Sequence, residues 1–426
     1  MSLRRFSPDA LPERAPFAIP PEINTAALEL VDDVRARGEP ALREHAERLG
    51  DLGVGEPLVL DRATLRQDLA ALDADTRALL ERVAGRIESF ARAQRSALAP
   101  VDVEVPGGRA GHRLAPVERA GCYAPGGRFP LPSSVLMTAV TAKAAGVREV
   151  WVASPRPGPV TRAAAALAGA EGLLCAGGAP AIAALAFGAA GVPACDVLCG
   201  PGGAWVTAAK AAVSGEVAVD MVAGPSELVV LADARADPEL VAADLLAQAE
   251  HDPLASPVLV TPSRRLADAV DQALEAQLAD LPTAEVAREA LANGYVVEVA
   301  DLDQGVDVCN ALAPEHLELL VDAPGLLEPR LLHYGGLFEG AGAAEVLGDY
   351  GIGPNHVLPT AGAARARGGL SVFDFLRVRT WLRIDRPEQA GEAVEDAVQL
   401  ARLEGLEAHA RSAAARRTVS RATPGR

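Results

Sequence analysis

No run of about 18 or more apolar residues occurs without a charge or a proline, so no membrane-spanning helix is expected. The apolar, Ala-rich stretch Ala179–Val192 comes nearest, and it is short and broken by glycines. The opening residues, MSLRRFSPDALPER, carry two arginines with no apolar core behind them, which argues against a secretory signal. Cysteine is scarce. The five, Cys122, Cys175, Cys195, Cys199 and Cys309, are odd in number and include no C-x-x-C pair. Neither a disulfide framework nor a cysteine zinc site is therefore expected, and a reduced, cytoplasmic compartment fits. All five read as small core residues, Cys122 included, although it lies beside a glycine-rich turn. Basic charge is also in deficit, 40 Lys and Arg against 57 Asp and Glu, for a net charge of −17. With no extended basic segment, nucleic acid is not an expected partner. The G-x-G-x-x-G dinucleotide fingerprint is missing as well.

What is present is a globular chain of 426 residues, half of them hydrophobic and enough for two or three cores. Residues 1–105 read as a helical segment, with apolar residues at helical spacing over Ile23–Leu49 and Ala63–Arg95; His45 reads as a solvated helix residue. Val101–Val105 and Gly111–Val117 read as a hairpin. From residue 106 to 226, strand and helix alternate: Val147–Ala153, Gly172–Ala176, Val197–Cys199 and Val217–Val219 as strands, Val160–Leu167, Ala181–Phe187 and Gly203–Val213 as helices. A second alternating run fills 227–365, with strands at Leu228–Leu231, Pro257–Thr261, Tyr295–Val299 and Leu317–Val321. The remainder, 366–426, reads as a helical extension ending in one helix, Pro387–Arg416. The expected class is α/β, two Rossmann-like parallel-sheet modules between an N-terminal helical segment and a C-terminal helical extension. Two glycine-rich strand-to-helix turns, Gly177-Gly178-Ala179-Pro180 and Gly200-Pro201-Gly202-Gly203, fall at carboxyl ends of strands, where such sheets bind ligands.

Chemistry gathers in a few polar groups. Gln248 and His251 close the helix that Pro238 opens, and on an ideal helix they stand about 60° apart. An imidazole with an amide oxygen can serve a zinc ion, although a helix cap and a surface histidine would look the same. Ala313-Pro314-Glu315-His316-Leu317 sets an acid beside an imidazole ahead of a strand. Gly348–Thr360 is a broken loop carrying Asp349, Tyr350, Asn355 and His356. Glu404 and His409 lie on the last helix. Four of the seven histidines thus fall in groups that also hold Gln248, Glu315, Asp349 and Glu404. That clustering points to a metal centre.

Six stretches carry a specific resemblance: Gly121-Cys122-Tyr123-Ala124-Pro125-Gly126-Gly127, Pro132–Met137, Gly224-Pro225-Ser226-Glu227, Gln248–Pro253, Pro314–Leu317, and Gly348–Tyr350 with Gly353–Thr360. In order and spacing the chain resembles histidinol dehydrogenase over nearly its whole length. The resemblance implies a cytoplasmic zinc enzyme of histidine biosynthesis, an intertwined homodimer. Such an enzyme is an NAD-dependent four-electron dehydrogenase that oxidises L-histidinol to L-histidinal and then to L-histidine, reducing two NAD. The zinc ligands implied are Gln248, His251, Asp349 and His409, the last from the partner chain, which the C-terminal extension reaches. A partner origin also eases a geometric tension, because five residues on one helix put Glu404 and His409 roughly 140° apart. The N-terminal helices are expected to pack with the second module. His316 matches the general base and Glu315 the residue that activates water, with zinc orienting substrate rather than that water. Both can serve one site only if their segment is a loop, since neighbours on a strand face opposite ways. Ser226, His356 and Glu404 match substrate contacts, joined by Gln248, His251, His316, Asp349 and His409. Tyr123 matches an NAD contact. Pro180 and Gly203 stand where the family usually has Gln and Asn, so weaker NAD binding is expected. A zinc hydrolase or deaminase, a paralogue acting on another hydroxylated substrate, and a metal-storing scaffold are the rival readings; turnover without NADH would mark the first.

Overall fold

The computed structural model describes residues 2–12, 19–126 and 130–418, which leaves Gly127 of the first glycine-rich turn outside the described residues. The chain divides into two compact units, Met1–Gln94 with Val117–Phe375, and Arg95–Pro116 with Leu376–Arg426. No helix among the described residues is long and apolar enough to cross a membrane.

The first unit holds two six-stranded sheets. One runs in the order Val59–Asp61, Gly172–Leu174, Glu149–Ala153, Arg119–Tyr123, Val197–Cys199, Ala218–Val219. Its strands are parallel except Val59–Asp61 at the edge. The central strand, Arg119–Tyr123, is absent from the sequence reading, because its Ala-Gly-Cys composition looks like a turn. Gly121 is there for packing: a Cβ on it would lie 2.7 Å from Leu198 Cδ2 and 3.2 Å from Leu185 Cβ. The helix Gly178–Phe187 comes that close to the sheet.

The other sheet is parallel throughout, in the order Arg4–Phe6, Tyr295–Glu298, Ser256–Thr261, Glu227–Ala232, His316–Leu320, Gly336–Glu339. Its middle strands are buried on both faces, which suits runs such as Leu228–Leu231. The helix Pro238–Ala249 begins with Asp237 accepting the N–H of Glu239 and lays Val241, Ala242, Leu245, Leu246 and Ala249 into the core on one side. It follows its strand and runs back, so its last turn sits level with the strands' amino ends.

The N-terminal segment does not pack only with the second sheet, as expected. Helices Pro21–Arg37 and Arg62–Ala71 lie on the helices of the first sheet, because Ala27, Val31 and Val34 meet Ala-rich faces there. Arg4–Phe6, read as part of a helical scaffold, is instead an edge strand of the second sheet. His45 is not solvated: it is buried, with Nε2 2.7 Å from Asp33 Oδ2 and Nδ1 3.1 Å from the Arg48 guanidinium.

The second unit is a three-stranded antiparallel sheet, Leu376–Ile384, Gly108–Pro116 and Val101–Val105, with helices Gly391–Leu403 and Glu407–Ala414. The expected boundaries at 105/106 and 365/366 are therefore displaced, because the hairpin pairs with a strand in the segment read as helical. That strand, LRVRTWLRI, alternates over nine residues. The single expected helix Pro387–Arg416 is two helices. Gly405 at φ +77° ends the first, and the Leu406 N–H closes onto Ala401 O at 2.7 Å.

Candidate metal and acid–base centre

Gln248 is in the final turn of the helix Pro238–Ala249, fully buried, with neither Oε1 nor Nε2 hydrogen-bonded. His251 lies beyond the helix end, its N–H 3.4 Å from Gln248 O. Across from them the short helix Glu345–Asp349 packs on that same helix and turns two carboxylates the same way, four residues apart. Asp349 Oδ2 is 3.4 Å from His251 Nε2, and Asp349 Oδ1 is 3.9 Å from His316 Nε2. Ligand atoms of His251, Glu345 and Asp349 all fall within 4.8 Å of one another. Burial works to raise the Asp349 carboxyl, but the His251 hydrogen bond and the fields of His356 and His316 leave it below its ordinary value.

His316 opens the strand next to the sheet's edge, opposite Leu228 and Gly336. Glu315 sits just before the strand in a bend, where its carbonyl accepts the Gly336 N–H at 2.8 Å. The neighbouring acid and imidazole therefore do not diverge: Glu315 Oε2 is 3.7 Å from His316 Nδ1. His316 Nδ1 lies 3.2 Å from the carbonyl of Glu227, which can only accept. That bond assigns the proton to Nδ1 and leaves Nε2 as a lone pair, buried and without a hydrogen-bond partner. Burial pushes the His316 imidazole down to about 4. Burial, then Asp349, holds Glu315 well above the carboxylate range, although Ser226 donates to it and its Oε2 accepts the Glu227 N–H at 3.0 Å. One residue, Glu227, thus anchors the acid with its N–H and the imidazole with its carbonyl.

The loop after Asp349 closes the site. His356 Nδ1 meets Asp349 O at 2.9 Å, and its Nε2 is 3.4 Å from Ser134 Oγ. Asn355 donates to Met137 O at 2.8 Å, Thr360 Oγ1 accepts the Gly224 N–H at 2.6 Å, and Glu227 Oε1 accepts the Ala361 N–H at 2.9 Å.

Behind His316 lies an acidic layer that the sequence reading missed. Glu318 Oε1 accepts the Glu345 N–H at 2.7 Å, and burial followed by Asp244 pushes the Glu318 carboxyl up to about 8. Spacing puts them on the faces of known site residues, Asp244 four before Gln248, Glu318 two after His316 and Glu345 four before Asp349, but does not tell them from solvated acids.

The glycine-rich turns occupy the carboxyl ends of the first sheet. The Tyr123 hydroxyl accepts the Gly178 N–H at 3.2 Å, and burial pushes its pKa up to about 12. Gly200, at φ +120°, must be glycine, since a Cβ would fall 2.0 Å from Tyr123 O. Its N–H goes to Asp220 Oδ2 at 2.8 Å and its carbonyl to Lys210 Nζ at 2.5 Å, a buried ion pair fixing the turn. Pro180 is buried in the first turn of its helix, while Gly203 caps Ala204–Val213 with open space around it. All five cysteines are buried, with Cys122 and Cys199 sulfurs 3.7 Å apart; burial pushes the Cys309 thiol up to about 12 and Cys175 to about 11. Such thiols are poor nucleophiles.

The first unit thus brings together His251, Glu315, His316, Asp349 and His356, with Ser226 bonded to Glu315 and Gln248 at the end of the helix that Glu345–Asp349 packs on. Glu404 and His409 belong to the second unit, both exposed: Glu404 caps one helix and His409 lies in the next. The turn at Gly405 separates them, so the 140° of a continuous helix does not apply.

A family profile described as histidinol dehydrogenase matches residues 18–417. The chain belongs to the histidinol dehydrogenase family. It is 44% identical over 406 residues to histidinol dehydrogenase of Thermus thermophilus, covering 95% of this chain and 97% of that one. It is 46% identical over 389 residues to the histidinol dehydrogenase of Parasynechococcus marenigrum, covering 89% and 87%. The crystal structure of histidinol dehydrogenase from Elizabethkingia anophelis superposes with a TM-score of 0.90 at 29% identity, over 97% of this chain and 98% of that one. As a histidinol dehydrogenase, the chain is an oxidoreductase of histidine biosynthesis with the two-module α/β architecture.

Proposed function

We propose that the chain is a zinc-dependent enzyme oxidising L-histidinol through L-histidinal to L-histidine with two NAD, as a cytoplasmic homodimer. The observation that carries this reading is the buried set of donors without partners: both amide atoms of Gln248, both oxygens of Glu345 and Nε2 of His316, beside His251 and Asp349. Leaving buried polar atoms bare costs about 1–3 kcal/mol each, a cost that a bound cation would relieve for the oxygens it touches. Nitrogen and oxygen donors of this kind suit zinc. Gln248, His251 and Asp349 would hold it, with His409 from a second copy of the chain. Bound there, zinc would grip the amine and imidazole of histidinol and orient its alcohol.

The chain's own residues then divide the proton work. His316, neutral because burial disfavours its charge, receives the alcohol proton at Nε2 while Glu227 O keeps Nδ1–H in place. Glu315, in its ionised form, accepts a proton from the water that adds to the aldehyde, producing the hydrate that yields the second hydride. Ser226 and His356 contact substrate beside these two, and Glu404 of the second copy answers its ammonium. Tyr123 and the backbone at Pro180 and Gly203 form the NAD side, at the end of the first sheet opposite its strands' amino termini.

Support for the dimer comes from the second unit. Val103, Val378 and Leu382 share one face of its sheet, and Leu400 and Leu403 protrude from its helix, all more than half exposed. An apolar face of that kind marks an association surface.

The test is NADH formation with L-histidinol, before and after chelation and again after zinc is restored. Two NADH per histidinol from metal-replete protein, lost on chelation and regained with zinc, is the expected result. No NADH from metal-replete protein would overturn the reading.

A further inference from the structure

Glu345 is the acid the family ligand set leaves out. It is 1% exposed, and neither carboxylate oxygen has a hydrogen-bond partner. The nearest donor, His316 Nδ1, is 3.5 Å away, and its proton is already directed at Glu227 O at 3.2 Å. On the other side the Glu345 carboxylate falls within 4.8 Å of His251 and Asp349 ligand atoms. Donors sharing one zinc at about 2.0–2.2 Å stand about 3–4 Å apart, so a side-chain torsion brings the three into contact with a common ion. Position on the chain favours this too. Glu345 and Asp349 are one turn apart on the short helix that packs against the helix carrying Gln248. Gln248, the second orphaned side chain, is fully buried at that helix's end.

The geometry points to Glu345 as a ligand of the metal, which one chain thereby holds with its own Gln248, His251, Asp349 and Glu345. This rests on the zinc reading above. Charge counting is compatible: a divalent cation between the two carboxylates of Glu345 and Asp349 leaves the set neutral. His409 from a second copy then adds a donor to a site that already retains its ion. The isolated chain would be loaded before it pairs, and substrate or His409 would displace or supplement the Glu345 oxygen.

Zinc affinity by competition with a chromophoric chelator tests this, together with the visible absorption bands of cobalt-substituted protein. Neither reading depends on turnover. Glu345→Gln keeps the shape and removes the anionic donor. It is expected to lower zinc affinity by more than the about 10–100-fold that loss of an outer, non-ligating partner costs, and to shift the cobalt bands. Glu345→Asp, shorter by one methylene, is expected to shift them less and serves if the glutamine variant does not fold. His409→Ala is expected to keep one zinc per chain, and the double variant to lose it. Wild-type affinity and unchanged cobalt bands in Glu345→Gln or Glu345→Asp would overturn the inference, as would loss of all zinc in His409→Ala alone. If the unaltered protein binds no zinc at all, the metal reading itself fails, and that outcome is distinct from either.

Discussion

The carbonyl of Glu227 lies 3.2 Å from Nδ1 of His316, while the N–H of the same residue lies 3.0 Å from the carboxylate of Glu315. A single peptide step thus fixes the imidazole tautomer and holds the acid beside it. The step belongs to Gly224-Pro225-Ser226-Glu227, one of the stretches that carry the family resemblance, in which the sequence singles out Ser226 but gives Glu227 no role.

The two members of this pair should fail differently. His316→Gln removes the base for both oxidations and is expected to lower kcat by about 10²–10⁴ with zinc content unchanged. Glu315→Gln is expected to spare the first hydride transfer and stall the second. Rapid-mixing absorbance should then show one NADH per site followed by a slow phase, with aldehyde trapped by semicarbazide. Equal slowing of both phases would remove the assignment of Glu315 to water.

Gln248 has no hydrogen bond in its buried site, so in metal-free protein it is a cost. Gln248→Leu should raise the melting temperature of chelated protein, by the temperature equivalent of about 1–3 kcal/mol. It should also abolish the further rise that zinc gives the unaltered chain, which at 100 Kd is about 2.7 kcal/mol. Differential scanning calorimetry with and without zinc reads both.

Much of this layout is legible in the sequence. Leu228–Leu231 and Leu317–Val321 read as buried strands because both faces are covered, and Pro238 marks a helix start. Gln248, His251, Glu315, His316 and Asp349 stand out because amides, acids and imidazoles are rare between apolar runs. Asp244, Glu318 and Glu345 do not, because a buried acid and a solvated one are the same letter; only burial by distant elements separates them. Arg119–Tyr123 hides as a turn, since Gly121 is selected by a neighbouring helix that sequence alone cannot bring near. The break at Gly405 is one glycine in an Ala/Leu/Arg helix pattern, and its left-handed backbone shows only in three dimensions.

The acidic layer gives stability a pH slope. The Glu318 carboxyl is raised from its ordinary 4.5 to about 8, by burial first and Asp244 second. A raised carboxyl contributes stability that is complete below the unfolded value and is lost as pH rises through the folded one. Metal-free protein should therefore lose stability between pH 4.5 and about 8. Glu318→Gln keeps a neutral, hydrogen-bonding side chain and should flatten that fall. Melting curves of chelated protein at several pH values decide; identical slopes would show that Glu318 is ionised in the fold.

On the cofactor side two glycines should behave oppositely. Gly200→Ala places a Cβ 2.0 Å from Tyr123 O at φ +120° and is expected to destabilise on the order of 3 kcal/mol or more. Gly203 has φ −71° and open space, so Gly203→Asn is expected to stay within about 0.5 kcal/mol. Combined with Pro180→Gln it supplies the two amides the family usually has, and the KM for NAD should fall with kcat little changed. An unchanged KM would show that backbone contacts suffice.

If His409 crosses between copies, inactive His316→Ala and His409→Ala chains should complement. Random exchange in a two-fold dimer makes half the dimers mixed, each with one intact site, so about a quarter of full activity should return. No return after proven exchange would place His409 in its own chain's site.

The most direct measurement is anomalous diffraction at the zinc edge from crystals grown with zinc and L-histidinol. One peak per chain is expected, within bonding distance of Gln248, His251 and Asp349, with the substrate's amine and imidazole on the same ion and its alcohol facing His316 Nε2. A peak elsewhere, or none between these side chains, would contradict the account.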